Sequence, residues 1–290
     1  TSSILLGMDP ESKKASPLLK WVGGKTQILG PVLENFPKTH NRYFEPFIGG
    51  GAVFFRLGNP KSVISDINPR LINFYQHVAS HPEGLIKEVS ALGQLFMGTA
   101  KPQEEVFYEL RHRLNEEQPV SVVAAALFLV INKTAFNGLY RENKKGDFNV
   151  PFNKFKAVPS FFDEDNLRRA SRLLKTASIS VSDFADATSE ATEGDLVYFD
   201  PPYVPMSITS RFTSYSSGGF DEKEQKELLE TAIELRGRGV SVVLSNSYSG
   251  WVLENYESNG FRVLEVFASR NVAARSSSRT KVSEALILGQ

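Results

Sequence analysis

Asp200-Pro201-Pro202-Tyr203 directly follows the apolar run Leu196-Val197-Tyr198-Phe199. A carboxylate accepts hydrogen bonds, and a proline without an N–H keeps its carbonyl acceptor. Two prolines in succession hold such acceptors stiffly. Rigid acceptors suit an exocyclic amine whose lone pair is delocalised into a ring, because they stabilise the nitrogen as it becomes tetrahedral. Tyr203 adds an aromatic face on which an extruded base can stack. The plainer alternative for these residues is a proline-bounded strand end capped by a buried Asp.

Three other segments carry chemistry. Phe47-Ile48-Gly49-Gly50-Gly51 follows Tyr43-Phe44-Glu45-Pro46, and glycines after a first strand let the backbone approach a nucleotide-like ligand. A tight turn explains them equally well. No Gly-Lys-Ser/Thr follows, which argues against a phosphate loop. Asp66 ends the next β-rich stretch, where an acidic side chain binds ribose hydroxyls in such sheets. Lys20-Trp21-Val22-Gly23-Gly24-Lys25 suggests a loop wrapped around a ligand, with Trp21 stacking on a ring or facing a cation. The alternative is a surface turn anchored by Trp21. Phe136 to Phe152 carries Asn137, Arg141, Asn143 and apolar side chains around Lys145-Gly146-Asp147. A ribbon of that composition suits major-groove readout, and its alternative is an ordinary exposed hairpin.

Alternating strands and helices must position these residues. Strands are expected at Arg42 to Phe47, Ser62 to Ser65, Ser178 to Val181, Leu196 to Phe199, Val240 to Leu244, Phe261 to Val266 and Ala285 to Leu288. Helices are expected at Ala52 to Leu57 and after Asn68-Pro69. Another should run to about Arg238, opened by Asp221 with Glu224 as a capping box. The stretch from His81 to Asp165 differs, with helical patterns at Glu104 to Leu114 and Val120 to Asn132 and a β-hairpin over 136–155. Pro205 to Phe220, rich in Ser, Thr and Gly, reads as a mobile loop. The expected fold is α/β, with 1–80 and 166–290 forming a sheet domain and 81–165 inserted as a mainly helical lobe. In such sheets ligands sit beyond the carboxyl ends of strands, where Gly49 to Gly51, Asp66, Asp183 and Asp200 fall.

Composition narrows the function. The 290 residues contain no cysteine, which excludes disulfides and cysteine-ligated zinc. His40, His77, His81 and His112 lack metal-ligand spacing, so no metal is expected. A Ser-His-Asp hydrolase lacks its Gly-x-Ser-x-Gly elbow. The apolar run between Pro119 and Asn132 is too short to span a bilayer, and Thr1 to Lys20 has no signal-peptide pattern. Net charge is zero, unlike proteins that coat nucleic acid. Local basic clusters remain: Arg141, Lys144, Lys145, Lys154 and Lys156; Arg168, Arg169, Arg172 and Lys175; and Arg262, Arg270, Arg275, Arg279 and Lys281. Each also reads as a solvated face.

In this order, Lys-Trp-x-Gly-Gly-Lys, Phe-Glu-Pro-Phe-x-Gly-Gly-Gly, Asn-Gly-Leu-Tyr-Arg with Phe-Asn-Val-Pro-Phe, and Asp-Pro-Pro-Tyr resemble the Dam-type adenine-N6 DNA methyltransferases of the alpha group, from about Leu18 to Ile287. The resemblance implies a Rossmann-like, S-adenosylmethionine-dependent sheet with helices on both faces, and a target-recognition lobe at 81–165. It implies methyl transfer to N6 of adenine in duplex DNA by base flipping, with S-adenosylhomocysteine as product and no metal. Asp200, Pro201, Pro202 and Tyr203 are then catalytic. Trp21, Lys25, Phe47, Gly49, Gly51, Asp66, Asp183, Phe184 and Asp200 line the cofactor. Lys20, Asn137, Leu139, Arg141, Asn143 and Pro151 face DNA, and the match around them points to GATC. A cytoplasmic protein of bacterial or phage type is implied, monomeric or weakly dimeric, from a restriction-modification system or standing alone. N4-cytosine methylation and a catalytically idle DNA-binding relative are the alternatives; Asp rather than Ser before Pro-Pro-Tyr favours adenine. Residues 1–17 match nothing in the family.

Overall fold

In the computed structural model, which describes residues 14–98, 100–204, 220–269 and 281–290, two wholly buried strands lie at the centre: β1 (Tyr43–Glu45) and β4 (Leu196–Phe199). Strands covered on both faces read as continuous apolar runs, as β4 does, whereas β1 ends in the buried Glu45. Beside β1 lie β2 (Ser62–Asp66) and then β3 (Ser178–Val181). Beside β4 lie β5 (Ser241–Ser247), β7 (Lys281–Gly289) and β6 (Arg262–Ser269). The order is β3-β2-β1-β4-β5-β7-β6, and β7 is antiparallel to both its neighbours while β1 to β5 are parallel. The strand order therefore reverses between β1 and β4. At such a switch point the two connections leave in opposite directions and open a crevice beyond the strand ends.

Alternation along β4 divides the core. Leu196 and Tyr198 point into a cluster with α2 (Ala52–Leu57) and α3 (Pro69–Ser80). Val197 and Phe199 point into another with α8 (Phe184–Thr188), α9 (Glu222–Gly237) and α10 (Gly250–Glu257). Helices thus cover both faces. The sequence signals at their starts act as expected: Asn68 accepts from the amides of Arg70 and Leu71, and Asp221 and Glu224 form a reciprocal capping box.

The middle of the chain supplies α4 (Pro82–Met97), α5 (Gln103–Glu116), α6 (Val122–Thr134) and α7 (Glu164–Leu174). Helix α6 is nearly all apolar and packs against α3, α4 and α5. One hydrophobic cluster runs from α2 and α3 through all four helices. Helix α4 was not anticipated, although Leu85, Val89, Leu92 and Phe96 mark its buried face. Also unanticipated are α1 (Leu29–Glu34) and α10.

The expected hairpin over 136–155 is not a regular ladder. Antiparallel bridges form only at Ala135–Phe152 and Glu142–Phe148. The reason is a 3-10 turn at Phe136–Gly138, with Asn137 at φ 52°, which breaks the first arm between the two bridges. Asn115, on α5, accepts from the Phe148 amide at 2.8 Å and donates to its carbonyl at 3.1 Å. Arg111 donates to the Val150 carbonyl at 3.1 Å. The amides of Asn143 and Asn149 still bond the carbonyls of Asp147 and Arg141 across the hairpin, so α5 covers the outer edge of the second arm, which a third strand would otherwise pair. Of the unassigned extension, residues 14–17 are described: Lys14 caps the end of α2 through the carbonyls of Arg56 and Leu57. The expected loop of Pro205 to Phe220 lies outside the described residues except for Phe220. Arg270, Arg275 and Arg279 also lie outside them.

A clamp fixes the central pair of strands at their entry. Arg42 Nη2 meets Asp195 Oδ2 at 2.7 Å. The same carboxylate accepts the amides of Arg42 (3.0 Å) and Thr192 (2.9 Å). Burial alone would raise the Asp195 carboxyl, but the bonds from Arg42 and Thr192 outweigh it and hold it below its ordinary value. Replacing Asp195 with Ala strands these donors, and should lower the unfolding free energy by about 2 kcal/mol in urea denaturation. A depressed carboxyl stabilises the fold above its unfolded pKa of about 3.9. That contribution is lost as pH falls through the lower folded value. The gap between wild type and Asp195→Ala should therefore narrow below about pH 4; a pH-independent gap would argue against the ion pair.

Candidate active site

The carboxyl ends of β1, β2 and β4 bring most of the singled-out residues to one crevice. Asp200 leaves β4 into a largely buried position, with its side chain 19% exposed, and pairs with Lys25 Nζ at 2.9 Å. Lys25 is itself buried. It donates to the Gly23 carbonyl at 2.6 Å and lies 4.7 Å from the centre of the Tyr203 ring. Burial pushes the Asp200 carboxyl up to about 6; Lys25 opposes that rise and nearby Glu284 adds to it. The carboxyl is thus ionised at neutral pH but sits close to its titration.

Tyr203 is fixed at its far end. Its hydroxyl donates to Glu284 Oε2, on β7, at 2.7 Å. Burial and then the charges of Asp200 and Glu284 raise the phenol far above its ordinary value, so it stays neutral. Two buried amides grip the turn's backbone: Gln225 Nε2 donates to the Pro202 carbonyl at 2.8 Å, and Asn246 Oδ1 accepts the Val204 amide at 2.9 Å. The sequence did not single out Glu284, Gln225 or Asn246 as site residues. Their contacts reach across 81, 23 and 42 residues, which no local motif signals.

Beside this turn lies the glycine-rich loop. Gly49 and Gly51 have φ of 45° and 70°, which L side chains rarely adopt. Their missing side chains leave room chiefly for the protein itself. A Cβ on Gly49 would stand 2.8 Å from the Trp21 indole, and one on Gly51 would stand 2.9 Å from Phe55. The glycines therefore seat Trp21 and Phe55 first, a reason that differs from ligand approach. Asp66 accepts the amides of Asn68 (3.0 Å) and Gly49 (3.3 Å). Burial pushes its carboxyl up to about 6 against those bonds. The next residue, Ile67, is 68% exposed, an apolar surface beside a carboxylate that the sequence reading had not marked. Phe47 and Phe184 stack at 5.7 Å, and Phe220 packs against both. Asp183 caps α8 by accepting from Ala185 and Asp186 through Oδ1. At the end of β1, buried Glu45 is pushed up to about 8 by burial and accepts from Tyr43 at 2.6 Å.

The second group lies along the 135–152 segment. Lys20 joins it to the crevice: its backbone exchanges two hydrogen bonds with the Asn132 amide, at 2.9 and 2.7 Å. Its side chain packs on Gly138, where a Cβ would come within 2.3 Å of it. Trp21 stacks on Tyr140 at 5.7 Å. Arg70, on α3, donates to the Tyr140 hydroxyl, Glu142 and the Gly146 carbonyl. Asn137 is exposed with φ of 52°, and Leu139 is half-buried. Arg141 is exposed, with Nε on Asn149 Oδ1 at 2.7 Å. Asn143 serves the turn itself, accepting the amides of Lys145 and Asp147 and donating to the Asp147 carboxylate. Pro151 is exposed, and its carbonyl accepts from Phe136. Phe136 is 46% exposed and Val22 64%, which adds apolar surface to this face. No helix among the described residues is long and apolar enough to cross a membrane, and none of those residues group as metal ligands.

A family model described as D12 class N6 adenine-specific DNA methyltransferase matches residues 21–272. The chain is 40% identical to the Type II methyltransferase M.MjaIII of Methanocaldococcus jannaschii, over 92% of this chain and 96% of that protein. It is 39% identical to the Type II methyltransferase M1.LlaDCHI of Lactococcus lactis subsp. cremoris, over 93% and 94%. It is 32% identical to the DNA adenine methylase of Vibrio cholerae, over 95% and 96%.

Lys25 is the positive charge that lowers the Asp200 carboxyl. Replacing Lys25 with Met should therefore raise that carboxyl above about 6. Carbon-13 titration of the labelled aspartates would show the shift; an unmoved Asp200 would mean that the pair does not govern its ionisation.

Proposed function

The chain belongs to the D12 class of N6 adenine-specific DNA methyltransferases, and we propose that it flips adenine out of a GATC duplex and holds it on the turn Asp200–Tyr203 for methylation from S-adenosylmethionine. The observation that carries this reading is the convergence of a buried, ionised Asp200, a rigid Pro-Pro backbone and the fixed Tyr203 ring at the switch-point crevice.

The residues along β1 and β2 fit the cofactor. Asp66 offers the remaining lone pairs of a held carboxylate to a ribose diol, and exposed Ile67 offers apolar contact to a purine. Trp21, Lys25, Phe47, Gly49, Gly51, Asp183 and Phe184 complete the lining. When bound, S-adenosylmethionine supplies an electrophilic methyl group on a sulfonium. The chain's own residues handle the acceptor. Tyr203 stacks under the flipped base. Asp200 and the Pro201 carbonyl accept hydrogen bonds from the two N6 hydrogens, draw the nitrogen lone pair out of conjugation and stabilise the charge that develops on it; once nitrogen holds the methyl group, its excess proton leaves to water or to Asp200. Lys25 holds Asp200 Oδ1 and keeps the carboxylate charged, which leaves Oδ2 to accept from the amine. The low-dielectric surroundings make each of these interactions count for more than it would in water.

We assign 81–165 as the target-recognition segment. Lys20, Asn137, Leu139, Arg141, Asn143 and Pro151 face the duplex in this reading. Asn143 acts by shaping the turn that presents Arg141. Pinning by Asn149 fixes the guanidinium plane, which favours bidentate contact with a guanine edge. The basic residues of the 141–156 segment meet phosphates in this reading, so affinity should fall with salt.

Methylating duplex DNA in vitro and sequencing it with a readout that separates N6-methyladenine from N4-methylcytosine tests the proposal; N6-methyladenine outside GATC would discard the specificity. Asp200→Ala should bind duplex yet lose at least about 10²-fold in transfer rate at saturating cofactor. The wild-type rate should rise with pH through about 6, as the Asp200 carboxyl ionises, and a flat profile there would count against its role. Arg141→Ala should relax discrimination at one G·C position by about 1–3 kcal/mol, measured as relative kcat/KM on single-substituted sites. Unchanged preference would remove it as a base reader.

A further inference from the structure

We infer that Gln225 and Asn246 form a positioning relay that sets the catalytic turn, an inference that rests on the assignment of Asp200–Tyr203 as the base-holding turn. The prolines create the need for it. Pro201 and Pro202 carry no N–H, so across two successive residues the turn cannot anchor itself by donating. It must be held through its carbonyls and through the next amides along the chain.

Gln225 and Asn246 hold it in that way. Gln225 lies in the first turns of α9, and Asn246 lies on β5 two residues past Leu244, the partner of Phe199. Both are buried, at 1% and 0% exposure. Gln225 Nε2 donates to the Pro202 carbonyl at 2.8 Å, and Gln225 Oε1 accepts from Asn246 Nδ2 at 3.2 Å. Asn246 Oδ1 accepts the amides of Val204 (2.9 Å) and Ser247 (2.8 Å). The relay thus runs from a helix through a strand and ends on the backbone at each side of Tyr203. Glu284 holds the tip of the same residue.

Two buried amides cost desolvation unless every bond is made, and apolar side chains would fill the same space without that cost. Their place here is explained by what they fix. Gln225 occupies the Pro202 carbonyl and so separates its role from that of Pro201, whose carbonyl is left to accept from the target amine. Neither amide touches the reacting atoms. Both act through the turn's backbone.

The test compares single-turnover transfer to N6 on a duplex that the wild type methylates, with calorimetric affinities for cofactor and duplex. Gln225→Met keeps the volume and removes the donor. The relay predicts a loss of roughly 10²-fold in rate, the size expected when a reacting group shifts by about 1 Å, with both affinities unchanged. Gln225→Glu adds a readout that packing alone would not move. Only its protonated carboxyl can donate to the Pro202 carbonyl, and burial favours that form. Its rate relative to wild type should therefore rise as pH is lowered, by up to about tenfold per unit. A wild-type rate in Gln225→Met, a Gln225→Glu rate that stays reduced by the same factor at every pH, or a Met variant that loses cofactor affinity along with rate would each overturn the relay. The last would mean that Gln225 holds the fold rather than the turn. A wild-type rate in Asp200→Ala would instead defeat the base-holding assignment beneath it, whatever the Gln225 variants show.

Discussion

A carboxylate taken out of water at the end of an apolar strand has to be compensated, and here the compensation comes from far away in the chain. Lys25 reaches Asp200 from a loop near the start of the described residues. An unpaired buried charge is costly, whereas a paired one is tolerated if its remaining bonds are made. The pair therefore requires the loop to be held firmly. Trp21 wedges against Gly49 and Gly50 and stacks on Tyr140, while the backbone of Lys20 is bracketed by the Asn132 amide. Each contact joins the loop to a different layer of the fold.

The same contacts tie the crevice to the segment proposed to read DNA. Tyr140 lies between Trp21 on one side and Arg70 on the other. Arg70 belongs to the first turn of α3, just after the Asp66–Asn68 corner where the cofactor ribose is proposed to sit. Arg70 therefore braces the proposed DNA-reading segment from beside the corner proposed to hold the ribose. Packing of this density passes displacements on rather than absorbing them.

The legible parts of the fold were those with local causes. The bounds of β4 and α2, the cap of α3 and the capping box of α9 follow from runs and spacings within a few residues. The acidic residues were placed at the crevice because strand ends collect there. What could not be read depends on contacts distant in sequence. The hairpin is broken by the turn at Phe136–Gly138, whose Gly138 packs on Lys20, and its outer edge is taken by Asn115 and Arg111 of α5. The glycines of the loop serve Trp21 and Phe55. Gln225, Asn246 and Glu284 are ordinary polar residues until the sheet brings them beside the Pro-Pro turn.

Strand β7 follows β6 in the chain but lies between β5 and β6 in the sheet. Without β7, β5 and β6 would be two parallel strands separated by an empty lane, each with an unpaired edge toward it. Such edges recruit other strands. The strand that fills the lane also delivers Glu284 to Tyr203. Sealing of the sheet and anchoring of the Tyr203 ring therefore depend on one strand, so anything that frees β7 from β5 also releases the Tyr203 hydroxyl.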